Sequence, residues 1–166
     1  MHILHYRLAT AADAAAIADL SVRSYEEFAA VMTPGNWERM RTSQGDMDIL
    51  AALMKMSYTF VCESGAKLVG VVFLVRSGNP TVIYPEDWAY IRRLGVDPDF
   101  RGLGIGQQLM EMAIRQARED GEKILGLHTS TAMPAARKMY DKLGFELVKE
   151  LEPIIGLQYW LYRMTL

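Results

Sequence analysis

Hydrophobic and polar positions change period several times along the chain, and these changes divide it into elements. A short run over 6–9 reads as a strand. Thr10 then stands as a helix N-cap, and Asp13 completes an acidic capping box. Ile17, Leu20, Ser24 and Phe28 follow at helical spacing, which predicts a helix to about Val31. Thr33-Pro34-Gly35-Asn36 breaks it, and a second helical region covers 37–56, interrupted near Gly45. β-branched and aromatic residues over 58–63 predict a strand, with Ser64-Gly65-Ala66-Lys67 as a hairpin-length turn. The next strand, 68–75, is apolar on both faces and therefore central. Residues 76–85 form a loop with Gly78, Pro80 and Pro85, and 88–96 a further strand. The helix predicted over 104–120 aligns Ile105, Leu109, Met112, Ala113 and Ala117 in one stripe. A strand over 123–129 follows. Pro134 opens another helix, with Ala136, Met139, Tyr140 and Leu143 on one face and Gly144 as its C-cap. Residues 145–150 and 157–164 are the last strands, with Pro153 and Gly156 between them.

The order is β-α-α-β-β-β-α-β-α-β-β. Early antiparallel strands precede two strand–helix units, which implies an α/β (α+β) fold: a mixed sheet with helices on both faces. A length of 166 residues fits one domain over 1–166. Two consecutive helices after one strand suit a cover over a substrate site.

Composition narrows the class. The net charge of −2, with 23% charged residues, gives no general affinity for nucleic acid or an anionic membrane. The single cysteine, Cys62, excludes an internal disulfide and a multi-cysteine zinc site, and no metal is expected. Residues 1–7 lack the basic, apolar and cleavage regions of a signal peptide, and the run over 68–75 is too short to span a bilayer. A cytoplasmic location is the expectation.

The chemistry concentrates after the strand over 88–96, in Val96-Asp97-Pro98-Asp99-Phe100-Arg101-Gly102-Leu103-Gly104-Ile105-Gly106. Glycines 102, 104 and 106 leave backbone N–H groups unshielded at a helix N-terminus, where the helix dipole adds positive potential. Arg101 adds a permanent charge. A packing turn uses one glycine; three at alternate positions after an arginine suit a phosphate cradle. The spacing does not match G-x-G-x-x-G, and Asp97 to Phe100 separate strand from glycines, so a dinucleotide fold is disfavoured. No Gly-Lys-Ser/Thr follows, which excludes a P-loop.

On these residues the chain resembles the GNAT superfamily of acyl-CoA-dependent N-acetyltransferases. Arg101, Gly104 and Gly106 match the family's Arg/Gln-x-x-Gly-x-Gly/Ala loop. Ala136-Arg137-Lys138-Met139-Tyr140-Asp141-Lys142-Leu143-Gly144-Phe145 is similar to its tyrosine-bearing helix and the Leu-Gly-Phe that follows. The resemblance implies a mostly antiparallel sheet with splayed central strands and acetyl-CoA as co-substrate. The pyrophosphate would lie on Arg101, Gly102, Leu103, Gly104, Ile105 and Gly106, and the pantetheine and thioester on backbone groups of Leu94, Gly95 and Val96. Tyr140 takes the place of the acid that protonates the departing thiolate. Many relatives carry an asparagine where this chain has Met133, so a backbone group or Thr129, Ser130 or Thr131 must replace that contact.

The general base is open. Some relatives place a glutamate where this chain has Tyr90, and others use ordered water. Glu86, Asp87, His128 and Glu63 are candidates here. Each has a plain structural alternative, as a solvated turn charge or a satisfied histidine. Cys62, in an apolar strand with no adjacent histidine, reads as inert. Trp37, Trp88 and Tyr84 could line an acceptor pocket or belong to the core; Trp88 is assigned to the core. The expected reaction is direct acetyl transfer to a primary amine of a small molecule. A protein N-terminal or lysine acetyltransferase, or a non-catalytic acyl-CoA sensor, are the alternatives. The pattern Leu157-Gln158-Tyr159-Trp160-Leu161-Tyr162 is read as exposing aromatics, which leaves a homodimer open.

Overall fold

Local capping signals place the first elements. In the computed structural model, which describes residues 2–166, β1 (Leu4–Leu8) is followed by Thr10, whose backbone N–H donates to the Asp13 carboxylate at 2.7 Å. α1 (Ala14–Tyr25) follows. The helix expected to reach Val31 tightens instead into a 3-10 turn over Glu26–Ala30. Thr33 caps α2 (Pro34–Gly45), with Pro34 in its first turn. The break expected near Gly45 falls at Asp46. Its carboxylate accepts from the N–H groups of Asp48 and Ile49, at 2.9 and 3.0 Å, and starts α3 (Met47–Met56).

The remaining elements are β2 (Ser57–Ser64), β3 (Lys67–Val75), β4 (Ala89–Val96), α4 (Ile105–Glu119), β5 (Ile124–Ser130), α5 (Pro134–Leu143), β6 (Glu146–Ile154) and β7 (Leu157–Thr165). The strands form one seven-stranded sheet in the order β1-β2-β3-β4-β5-β7-β6. Every neighbouring pair is antiparallel except β4 and β5. α1 and α3 pack on one face against Val61, Val71, Phe73 and Tyr90. α4 and α5 cover the other, over Val69, Val72, Leu74, Ile91 and Leu127. β3 is buried on both faces because helices cover both, which is why its sequence is a continuous apolar run.

The parallel pair sets the site. β4 and β5 pair only at Ala89–Leu125 and Tyr90–Gly126. Beyond these, β4 stays on β3 as far as Gly70–Val96, and β5 stays on β7 as far as Ser130–Tyr159. The two strands therefore part, and the backbone groups facing the gap have no strand partner.

Gly70 seats α4 on β3 beside the end of β4. A Cβ there would lie 2.6 Å from the Ile105 side chain and 3.0 Å from Leu109, in the first turns of α4. Gly70→Val should therefore lift that helix end and cost about 1–3 kcal/mol of stability, as overpacked cores do, read as a lowered denaturant midpoint.

One expectation is corrected. The aromatics of the last strand do not lie exposed: Tyr159 and Tyr162 are buried and Trp160 is half-buried. Tyr162 packs in the core under α4 and α5, where its hydroxyl accepts from Arg137 of α5 at 3.1 Å, and Tyr159 packs with Phe28 and Met40 on the other face, so these side chains belong to the chain's own core. Cys62 is buried in β2, where burial pushes its thiol up, as expected of an inert cysteine.

Candidate active site

The glycine loop is anchored before it turns. Asp97, buried at the end of β4, ion-pairs with Arg23 of α1 and, at 3.1 Å, with Lys67 of β3. Its Oδ1 accepts from the Asp99 N–H at 2.9 Å, which caps a 3-10 turn over Pro98–Phe100. Gly102 and Gly104 then take φ of 79° and 78°, a region open to glycine and strained for most other residues. Gly104 is the N-cap of α4. A Cβ at either glycine would meet nothing within 4 Å, so the loop faces open space. The first helical bond runs from the Gln108 N–H to the Gly104 carbonyl at 3.0 Å, so the N–H groups before it have no helical acceptor. A multivalent phosphate fits such a set of unpaired donors. The Arg101 guanidinium is turned aside: it holds Glu27 at 2.8 Å and the Ser24 carbonyl at 3.0 Å, tying the loop to the end of α1.

Gly106, in the first turn of α4, packs beside the second half of β4. A Cβ there would stand 3.7 Å from the Met139 sulfur and from Val96, and 3.8 Å from Leu94. The start of α4, the second half of β4 and the middle of α5 thus meet at this point. Tyr140, on the same face of α5, is buried and packs edge-on against Phe145 at 5.9 Å. Its hydroxyl makes no hydrogen bond to another described residue, and burial pushes its pKa well up, so it is held protonated.

The opposite side of the gap is built around a bulge in β4. The β3–β4 register shifts between Val71 and Phe73, and Arg93, opposite this shift, has φ of 51°. A bulge re-aims side chains and commonly lies beside a functional site. The Tyr25 hydroxyl donates to the Leu94 carbonyl at 3.4 Å from the α1 side. Burial, with Tyr159 adding, pushes Tyr25 up to about 12.

Of the four base candidates, only His128 stands at the gap, on β5 beyond its last pairing with β4. Its Nδ1 lies 2.6 Å from the Tyr84 hydroxyl, and its ring faces Tyr159 at 5.5 Å. Burial first, then the Arg92 charge, hold His128 down at about 4, so it is neutral near pH 7. Glu86 and Asp87 are exposed on the loop before β4. Glu63 is tied to Arg7 and His5 on the β1–β2 side. Tyr90 stacks on Tyr84 at 4.2 Å and donates to the Asn79 carbonyl at 3.0 Å. Near Met133, Thr129 donates to its sulfur at 3.4 Å, and the Ser130 hydroxyl accepts from the Ala132 N–H at 3.1 Å. Trp37 packs with Phe28, Met40 and Tyr159, and Trp88 against the α1-side core.

His128 has a stability consequence. The unfolded chain protonates it near pH 6.5, whereas the fold resists until about pH 4. Below pH 6.5 the unfolded state binds the extra proton, so stability falls as pH falls. Between pH 7 and pH 5 this one group should remove about 2 kcal/mol. Urea unfolding of wild type and His128→Asn at both pH values checks it; the variant should lose less on acidification.

Tyr25, Arg92 and Arg93 join the site without having been singled out in the sequence, and Tyr159 joins it although the sequence pattern reads it as an exposed aromatic. The signal for the arginines was present: two adjacent charges inside an otherwise apolar strand. Tyr25 and Tyr159 carry no such signal and reach the gap only through the packing of α1 and β7.

Residues 16–145 match the model of the Acetyltransferase (GNAT) family, and the chain belongs to that family. An uncharacterized N-acetyltransferase of Methanocaldococcus jannaschii is 39% identical over 52% of this chain, which spans only 38% of that relative. The fold is shared with the PaiA N-acetyltransferase of Thermoplasma acidophilum in complex with coenzyme A, at TM-score 0.79 and 13% identity over 99% of both chains. It is likewise shared with a Salmonella typhimurium acetyltransferase solved with its cofactor acetyl-CoA, at TM-score 0.75 and 19% identity, covering 98% of this chain and 93% of that one.

Proposed function

We propose that the protein transfers the acetyl group of acetyl-CoA to a primary amine by direct attack in a ternary complex, with a small molecule as acceptor. Residues 1–166 act as one acetyltransferase domain. The observation that carries this reading is the parting of β4 from β5 beside a helix start whose N–H groups have no helical acceptor, with buried Tyr140 on α5, whose Met139 lies against Gly106 of that helix start.

The pyrophosphate binds the N–H groups of Gly102 to Gly106, and the pantetheine lies along the unpartnered edge of β4 at Leu94, Gly95 and Val96. A backbone N–H near Leu94 steadies the oxyanion formed when the amine nitrogen attacks the thioester carbon. The C–S bond then breaks. Tyr140, held protonated by burial, donates its hydroxyl proton to the leaving sulfur. The proton from the amine leaves through water or through neutral His128. His128 is a weak base, because its pKa of about 4 gives little driving force. No acyl-enzyme is needed, and buried Cys62 cannot form one.

Free-thiol release from acetyl-CoA, followed across a panel of small amines and amine-bearing peptides, tests this. Turnover should favour small amines. Turnover confined to peptides would replace the small-molecule acceptor, and absence of any amine-dependent release would overturn the transferase reading.

A further inference from the structure

The acceptor side of the gap holds two cations and no anion to match them. Arg7, Arg23 and Arg101 each grip a carboxylate, whereas Arg92 and Arg93 have no acidic partner among the described residues. Arg93 is half-buried, and one of its terminal nitrogens is buried without a hydrogen-bond partner. A guanidinium desolvated without a partner is costly, so such a group points to something it binds. Arg93 also sits at the β4 bulge with a positive φ, a strained backbone in the one segment of β4 that borders the gap.

The surroundings sharpen the chemistry. The charge of Arg92 reaches Tyr25, Tyr84, Tyr90 and His128, and that of Arg93 reaches Tyr25. All of these are neutral near pH 7. Asp46, the acid whose charge reaches Arg93, already uses its Oδ1 to cap α3. The basic pair therefore has neutral phenols and an imidazole around it. A planar guanidinium fork is the natural partner of a carboxylate.

We propose that Arg92 and Arg93 bind a carboxylate carried by the acceptor, so that the substrate class is an amine with a carboxylate a few bonds from its nitrogen: an amino acid or a short amino-carboxylate. This rests on the acetyltransferase reading above. Arg93 immediately precedes Leu94, at which the thioester is placed, so an anion held there brings a nearby amine to the reacting carbon. The same two cations disfavour the ammonium form of that amine. They thereby supply neutral nucleophile at a site whose only imidazole is a weak base. Polycationic amines are repelled for the same reason.

The test compares each amino acid with its carboxamide and its decarboxylated amine as acceptors, by initial rates of thiol release. It uses wild type, Arg92→Gln, Arg93→Gln and Arg93→Lys, with acetyl-CoA affinity and thermal midpoint measured on each. Wild type should favour the acid by about tenfold or more in kcat/KM, and each Gln variant should erase most of that preference through KM. Arg93→Lys, which keeps the charge and loses the fork, should fall between. Acetyl-CoA affinity should stay within about twofold throughout, a shift too small to explain a tenfold change. Equal rates with acids and amides in wild type overturn the proposal while leaving the transferase reading intact. So does turnover confined to amines without a carboxylate, or a preference that survives in both well-folded Gln variants. Failure of wild type to bind acetyl-CoA removes the transferase reading and this proposal with it.

Discussion

Tyr140→Phe lowers kcat by about a hundredfold or more and leaves acetyl-CoA affinity within about twofold, since positioned acids contribute on that order. The change removes one oxygen from a ring held by Phe145 and the α4-side core, so packing is preserved. The hydroxyl makes no hydrogen bond to another described residue, so its loss strands no partner. What disappears is the proposed proton donor. The loss should shrink with a thioester whose thiol is more acidic, because that thiolate leaves without help. Steady-state kinetics with both thioesters reads the effect. Full activity with the ordinary thioester would remove Tyr140 as the acid.

Arg101→Glu weakens acetyl-CoA binding by about a hundredfold, whereas Arg101→Gln costs only about threefold, each tenfold being about 1.4 kcal/mol. The contrast follows from where the guanidinium lies. It pairs with exposed Glu27 and a carbonyl of α1, so the backbone N–H groups do the holding and neutral glutamine disturbs them little. Glutamate places a second carboxylate beside Glu27 at the mouth of the phosphate loop and repels the pyrophosphate. Equal and large losses in both variants would mean that the guanidinium itself grips the phosphates.

Much of the fold was legible in the sequence because its signals are local. Thr10 with Asp13, Pro34, Pro134 and Gly144 mark helix ends, and each stands at or beside an observed terminus. The apolar run of β3 announced a strand covered on both faces. The glycine loop could be read as a sharp turn into a helix because its glycines serve backbone geometry, which needs particular residue types at particular spacing. The acceptor side could not be read that way. Tyr25 comes from α1, Tyr84 from a loop, His128 from β5 and Tyr159 from β7, and no spacing along the chain predicts their convergence. The last strand misled for a related reason: Tyr159 and Tyr162 look exposable until helices from distant parts of the chain cover both faces of the sheet. Arg101 was placed correctly on the loop, but the partner that turns its side chain aside, Glu27, lies in another element.

The central claim is that the start of α4 and the β4–β5 gap form a site for acetyl-CoA, and calorimetric titration tests it most directly. Acetyl-CoA should bind saturably at one site per chain, while NAD and ATP, which lack a pantetheine to lie in the gap, should bind far more weakly. Binding of NAD or ATP without binding of acetyl-CoA would contradict the account, leaving the loop as a site for some other phosphate.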